Sequence, residues 1–442
     1  MVEVPQPGDE GHSDNKKTCD APESNDSNDP KRKDLLEDSS KKSEPESHSG
    51  FDLGSWRRRS LVKSVAAGIG LVSFLPGITA GGDDTVEIIK AHRGPDDKVY
   101  HEVPEQWHEH FLAADEVFDD LKDRYMDDAD IAGIGMGSGD ERLLKTDDFC
   151  LNEYEFRISS EDVDYTRDRL PDQRDGFNIV VERHVPAHLT DWCDGQSEDD
   201  TYECVPGGAV VDSATGGCIV NQVGNSIARY ITAAHVIRET GSGTCEDIVG
   251  ESVDHQGRRI GEVFEVSDEH DTAIITDDTD NSNTLDGIDD KVLASLYDVE
   301  GFVDRDTVCL HAAESDECPS NTTYAHKYGK TTGWSTGRVL EIECTTTSDN
   351  DCEDDVEAVE WIWTEAKTWT GDSGGPTWYE DGDEEESYMY GINHAIRRCC
   401  EDEEDPNCDH ECECDDWEKT KHTAAYGLNN DYNLYFDYGS TC

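Results

Sequence analysis

The chain has 442 residues, with 103 Asp and Glu against 37 Lys and Arg, a formal net charge of −66. That balance argues against nucleic acid as a partner, because a phosphate backbone would be repelled. The acids run along the whole length, as at 277–278, 384–386 and 401–404, rather than in one tail. Self-repulsion on this scale destabilises a compact chain at low ionic strength, whereas molar salt cuts the Debye length to about 3 Å and leaves the acids to hydrate the surface. The composition reads as that of a halophile, haloarchaeal protein, with a merely acidic secreted protein as the alternative. Lowering the pH at low salt is expected to relieve the repulsion by neutralising carboxylates.

Residues 1–56 are mostly Asp, Glu, Ser, Asn and Lys, too polar to bury a core, and read as a disordered acidic leader. Arg57-Arg58-Arg59 then precedes an apolar run over 65–75 and small residues at Ala80 and Gly81. This segment, 57–80, resembles a twin-arginine export signal, with its basic cluster at the membrane face and cleavage after Ala80. The apolar run falls short of the about 20 residues that span a bilayer. Export therefore outranks anchoring: the membrane is met only in transit, and the product is secreted or held at the cell surface. The long stretch ahead of the arginines leaves the true start codon open. Sixteen cysteines, fifteen of them after Ala80, suit an oxidising exterior, and the odd number leaves one thiol free or intermolecular.

A folded unit is predicted over 84–186. Trp107, Phe111, Ala114, Phe118, Leu121 and Tyr125 recur at spacings of four and three, the stripe of an amphipathic helix. Runs at 131–136, 154–158 and 177–181 alternate with period two between turn-forming clusters, so a small α+β domain is expected, followed by a linker over 187–206 that carries Cys193 and Cys204.

Beyond it, 207–442 reads as all-β: short branched or aromatic runs at 228–232, 273–275, 307–310, 356–364 and 388–393 are separated by Gly, Asp and Asn. The run at 432–436 is open between a closing strand and a short helix. Ile231-Thr232-Ala233-Ala234-His235 is a strand that delivers an imidazole. Asp271-Thr272-Ala273-Ile274-Ile275 sets a carboxylate at the mouth of an apolar strand, with Asp268, Asp277 and Asp278 close by. Gly371-Asp372-Ser373-Gly374-Gly375-Pro376 is a serine in a tight glycine-lined turn. A serine hydroxyl needs a neighbouring base, which His235 supplies. A buried carboxylate, Asp271, fixes that imidazole's tautomer and stabilises its cation. Two backbone N–H groups, of Gly371 and Ser373, serve an oxyanion, each worth roughly 3–4 kcal/mol.

Those three motifs, in the order His, Asp, Ser, resemble the chymotrypsin-like (trypsin-like) serine proteases. The run from Gly329-Lys330-Thr331-Thr332-Gly333 to Gly337, and that from Gly207 to Cys218, are most similar to the streptogrisin and α-lytic type of the microbial branch. The resemblance covers about 205–442. It implies a double six-stranded antiparallel barrel with His235 and Asp271 on the first barrel and Ser373 on the second. It also implies a serine endopeptidase acting on protein or peptide substrates through an acyl-enzyme, with no cofactor. By the same resemblance Cys218 pairs with Cys245 beneath His235, and the primary pocket is lined by Lys367, Thr368, Asn393, His394 and Ile396. Ile396, where relatives have glycine, favours small side chains, whereas Lys367 with Arg397 and Arg398 favours acidic ones. Trp369 stands where many relatives carry a cysteine. The 84–186 unit is similar to the amino-terminal domain of some microbial trypsin-like peptidases, which implies a propeptide or folding aid and a zymogen; a permanent accessory domain is the alternative.

The segment 399–414 gathers Cys399, Cys400, Cys408, His410, Cys412 and Cys414, ligand types for zinc. Their spacing fits no pair of CxxC units and acids crowd them, so a disulfide-stapled insertion without metal is expected. A catalytically silent protease-fold binding module and a cysteine-rich metal-binding protein remain as rival functions; the oligomeric state is open.

Overall fold

Local sequence explains the first elements directly. The computed structural model describes residues 84–184, 202, 204–211, 214–222, 228–237, 248–267, 269–277, 287–345, 359–369, 371–382, 384–398 and 417–436. The acidic leader, the export segment, most of the linker, Cys245, Asp268, Asp278 and the insertion 399–414 lie outside these residues. Strands β1 (Thr85–His92) and β2 (Lys98–Pro104) form an antiparallel hairpin. Pro104 then caps α1 (Glu105–Tyr125), which has Glu105 in its first turn and Lys122 and Arg124 in its last, signs that suit the helix dipole. The predicted stripe is its buried face: Trp107, Phe111, Ala114, Phe118 and Leu121 are joined there by Val117. Full burial of each larger side chain contributes about 1.5–3 kcal/mol. Tyr125 is only partly covered.

Next come β3 (Ile131–Lys145), β4 (Cys150–Ser160), α2 (Val163–Arg169), β5 (Gln173–Arg174) and β6 (Phe177–Arg183). The Asp162 side chain caps α2 by accepting from the Tyr165 N–H. The rest of the chain supplies β7 (Cys204–Gly207), β8 (Val210–Val211), β9 (Ala214–Thr215), β10 (Ile219–Gln222), β11 (Ala228–Ala233), the single turn α3 (Ala234–Ile237) and β12 (Ser252–His255). After these come β13 (Arg258–Ser267), β14 (Thr272–Asp277), β15 (Gly287–Val292), β16 (Val299–Val303), α4 (Arg305–Ala312), β17 (Tyr324–Gly329), β18 (Gly333–Thr345) and β19 (Val359–Thr364). The chain closes with β20 (Pro376–Asp381), β21 (Glu386–Arg398), β22 (Trp417–Ala424), α5 (Ala425–Tyr432) and β23 (Leu434–Tyr435).

Two antiparallel units carry the site. The first is a six-stranded sheet in the order β12-β13-β14-β11-β10-β23. The second closes on itself: β17 pairs β18, β18 pairs β19, β19 pairs β22, β22 pairs β21, β21 pairs β20, and β20 pairs β17, all antiparallel. The expected double six-stranded, all-β architecture is therefore present. No helix among the described residues is long and apolar enough to cross a membrane.

Residues 84–184 do not stand apart from it. β3 pairs antiparallel with β18, from Gly133 opposite Thr345 to Gly137 opposite Glu341, and β1 pairs with β16, which itself joins β21. The strands approach so closely that a Cβ on Gly137 would lie 2.5 Å from the Leu340 carbonyl oxygen. A disulfide, Cys150–Cys318, ties β4 to the segment ahead of β17. The expected separate domain is thus one continuous sheet with the second barrel.

Two local expectations change. Residues 307–310, predicted as strand, lie in α4, where Asp304 caps the first turn and every residue from Thr307 to Ala312 is buried. A run buried all round carries neither a two-fold nor a 3.6-fold pattern, so its branched residues misled. The run at 432–436 is both of its alternatives in part: α5 ends at Tyr432 and β23 follows.

Candidate active site

β11 runs into α3 through Ala233 and Ala234, two small buried residues that let the corner pack closely, and His235 is the second residue of that turn. Its side chain is partly exposed at the barrel surface. Asp271, just ahead of β14, is fully buried and sits in the left-handed region, φ 45°. Asp is among the few side chains that tolerate this conformation. The β11–α3 corner holds it there: the Ala234 N–H donates to the Asp271 carbonyl (2.8 Å) and the His235 N–H to Oδ1 (3.0 Å), while His235 Nδ1 bonds Oδ2. Burial alone would raise the carboxyl's pKa, but His235, together with His394, holds it well below the usual carboxylate range. Among the described residues, Asp271 is the carboxylate that bonds His235; Asp268 and Asp278 lie outside them.

Ser373 lies in the turn before β20. Gly371 has φ 90°, and a Cβ there would meet Thr331 Oγ1 at 2.7 Å, so the turn needs glycine. The turn is pinned on both sides. Thr215 donates its Oγ1–H to the Gly371 carbonyl (2.6 Å) and its N–H to the Ser373 carbonyl (3.1 Å), and Gly374 N–H and Asn393 N–H exchange bonds with β21 and Gly375. Among the described residues, the main-chain N–H groups of Gly371 and Ser373 donate to nothing in the protein. The Ser373 hydroxyl donates to the His394 carbonyl (3.3 Å) and makes no bond to His235.

The middle residue of the motif, Asp372, has no exposure and is fully engaged. Its Oδ1 accepts from Thr331 N–H (2.8 Å) and Thr332 N–H (3.1 Å). Its Oδ2 accepts from Lys327 Nζ (2.6 Å), Thr332 Oγ1 (2.6 Å), Trp369 N–H (2.8 Å) and Thr368 Oγ1 (3.3 Å). Lys327, from β17, is equally buried; burial pulls its pKa down, against the pull of Asp372. Sequence reading missed Lys327. Its signal is the alternation of β17, in which Ala325, Lys327 and Gly329 all face inward.

The residues expected around the pocket divide. Thr368 and Asn393 come together, with Asn393 Nδ2 donating to Thr368 Oγ1 (2.8 Å) and Asn393 Oδ1 buried without a partner. Lys367 is exposed. The side chains of Ile396, Arg397 and Arg398 lie outside the described set. His394 turns instead towards the first barrel: its Nδ1 bonds Asp271 Oδ2 at 2.8 Å, and its ring packs on Trp361 at 4.6 Å.

The cysteines require correction. Cys218 is a buried free thiol whose pKa burial raises, so the expected bridge to Cys245 is not formed. Cys309 and Cys344 are also free and buried, so the described residues alone hold three free thiols where one was expected. All three pack into the main apolar core, where a thiol behaves as a small hydrophobe.

Residues 207–410, which carry His235, Asp271 and Ser373, match the family described as Trypsin. None of the curated proteins matches the chain. Among solved structures the chain is similar to the chymotrypsin of Cellulomonas bogoriensis, at 17% identity over 52% of this chain and 96% of that one, with a TM-score of 0.32. It is also similar to the active form of the Rv3671c protease of M. tuberculosis, at 14% identity over 53% of this chain and 82% of that one, with a TM-score of 0.26. The family match thus spans somewhat less than half of the chain and takes in all three of His235, Asp271 and Ser373.

Proposed function

We propose that this chain is an exported serine endopeptidase adapted to high salt, with Ser373 as nucleophile, His235 as general base and Asp271 as its orienting carboxylate. The observation that carries the reading is that the buried carboxylate of Asp271 holds His235 through both its N–H and its Nδ1, which leaves Nε2 to act on a hydroxyl. In the first step Ser373 turns about its Cα–Cβ bond from the His394 carbonyl to His235 Nε2, which removes the hydroxyl proton as Oγ attacks the peptide carbonyl carbon. The negative oxygen that forms is received by the N–H groups of Gly371 and Ser373. The His235 imidazolium, steadied by Asp271, then gives its proton to the departing amine, leaving an acyl-enzyme. Water repeats the sequence, losing a proton to His235 and releasing the acid.

Export rests on the basic and apolar segment 57–80, and salt adaptation on the net charge of −66. Replacing Ser373 with Ala should abolish peptide hydrolysis while the circular dichroism spectrum in molar potassium chloride stays that of the wild type. Hydrolysis persisting in the folded variant would mean that another residue is the nucleophile. The bond from Ser373 to the His394 carbonyl favours a second reading, a silent binding module, which the same assay decides: it requires a wild-type chain without hydrolysis.

A further inference from the structure

Asp271 is held from two sides by chemically identical groups. Oδ2 accepts from His235 Nδ1 and from His394 Nδ1, the latter at 2.8 Å, while Oδ1 takes the His235 N–H. An ionised carboxylate only accepts, so both Nδ1 atoms carry their protons, and both rings are fixed as the tautomer with a lone pair on Nε2. The two rings meet edge to face with centroids 5.7 Å apart. His394 has little freedom to leave: it is 1% exposed, and Trp361 lies against it at 4.6 Å.

We propose that His394 is a positioning residue that sets the base strength of His235 by sharing its carboxylate. This rests on the peptidase reading above and deepens it. A second N–H on Oδ2 locks the carboxylate's rotation and draws off part of its charge, so Asp271 stabilises the His235 imidazolium less than it would alone. The charged and titratable groups around His394 come from each neighbouring element. Asp271 and His235 lie on the first barrel. On the second, Lys421 of β22 stands over the Trp361 ring at 4.3 Å, and His422 of β22 and Lys327 of β17 lie behind, with burial, Lys327 and His394 together pushing His422 down to about 3. Lys327 is itself paired with the buried Asp372, whose carboxylate offsets its charge.

The test compares His394→Phe, which keeps the packing on Trp361 but loses the N–H, with His394→Asn, whose amide nitrogen stands one bond from Cγ as Nδ1 does. In molar potassium chloride, His394→Phe should lower kcat roughly tenfold to a hundredfold with KM little changed, and move the acid limb of kcat/KM up by roughly one pH unit. His394→Asn should restore most of both. Independently of turnover, histidine-labelled Ser373→Ala protein should show low-field imidazole N–H resonances from both His235 and His394. His394→Phe in that background should remove one, and Asp271→Asn should shift both. If His394→Phe fails to fold, the Asp271→Asn spectra and the His394→Asn profile still decide. An active wild type whose His394→Phe variant keeps the acid limb and kcat, or a His394 resonance unmoved by Asp271→Asn, overturns the role of His394 alone. A wild type with no hydrolysis overturns the peptidase reading, while the spectra still report the contact.

Discussion

Lys327 shows how much of the site depends on a residue that never meets substrate. Among the described residues its ammonium is the one cation bonded to Asp372, and Asp372 in turn holds the backbone at Thr331, Thr332 and Trp369, which frames Gly371 and Ser373. Removing one partner of a buried pair leaves the other charge uncompensated, at about 3–5 kcal/mol. Lys327→Met should therefore melt well below the wild type and lose labelling by a fluorophosphonate while still folded at low temperature; an unchanged melting curve with full labelling would refute this role. At this scale the sequence was informative where residues sit within one short motif. Gly371, Asp372 and Ser373 are contiguous, and His235 and Asp271 each abut a recognisable strand. Lys327 and His394 were misjudged because their partners come from other strands: Lys327 reaches a carboxylate 45 residues on, and His394 one 123 residues back.

Glu360 does for the elements what Asp372 does for the loop. Standing on β19, it receives Arg305 of α4 through Nε (2.7 Å) and Lys122 of α1 (3.1 Å), and Arg305 also reaches Asp115 of α1 (2.8 Å). Burial pushes the Glu360 carboxyl up, but Arg305 and Lys122 more than offset it and bring it to about 2. A depressed carboxyl contributes stability above its unfolded value near 4.5 and loses it as the pH falls towards 2. Glu360→Gln should cost roughly 3 kcal/mol at neutral pH and flatten the loss of stability between those two pH values, as read by urea denaturation at each pH. A variant as stable as the wild type would mean that the 84–184 segment is held by its strand pairing and disulfide alone. Helix α1 was legible because its apolar stripe is one-sided, whereas the joining of β3 to β18 was not, because pairing across some 200 residues leaves no local pattern. Charged seam partners and a cysteine pair 168 residues apart are likewise silent in sequence.

For the whole molecule, the structure modifies what composition alone suggests about acid. Burial, with Lys90 and His101 or with Lys327 and His394 nearby, pushes His311 and His422 down to about 3, and burial brings His101 and His110 to about 4. A histidine depressed in the fold contributes fully above its unfolded value of 6.5 and loses that contribution as the pH falls. At pH 5 the loss is about 2 kcal/mol for each of His311 and His422. Relief of the −66 charge by carboxylate protonation begins only below that range. Stability in low salt should therefore fall from pH 7 to pH 5 rather than recover, and at pH 7 it should rise with potassium chloride as the Debye length shrinks from about 10 Å at 0.1 M to about 3 Å at 1 M. Circular dichroism melts over that grid check both, and a salt-independent melt would sink the halophile reading.

The central claim is that Ser373 becomes acylated. Wild-type protein in molar potassium chloride, treated with a fluorophosphonate and digested for mass mapping, should carry a single adduct on the peptide containing Ser373, and none after His235→Ala. No adduct, or an adduct on another serine, would contradict the account.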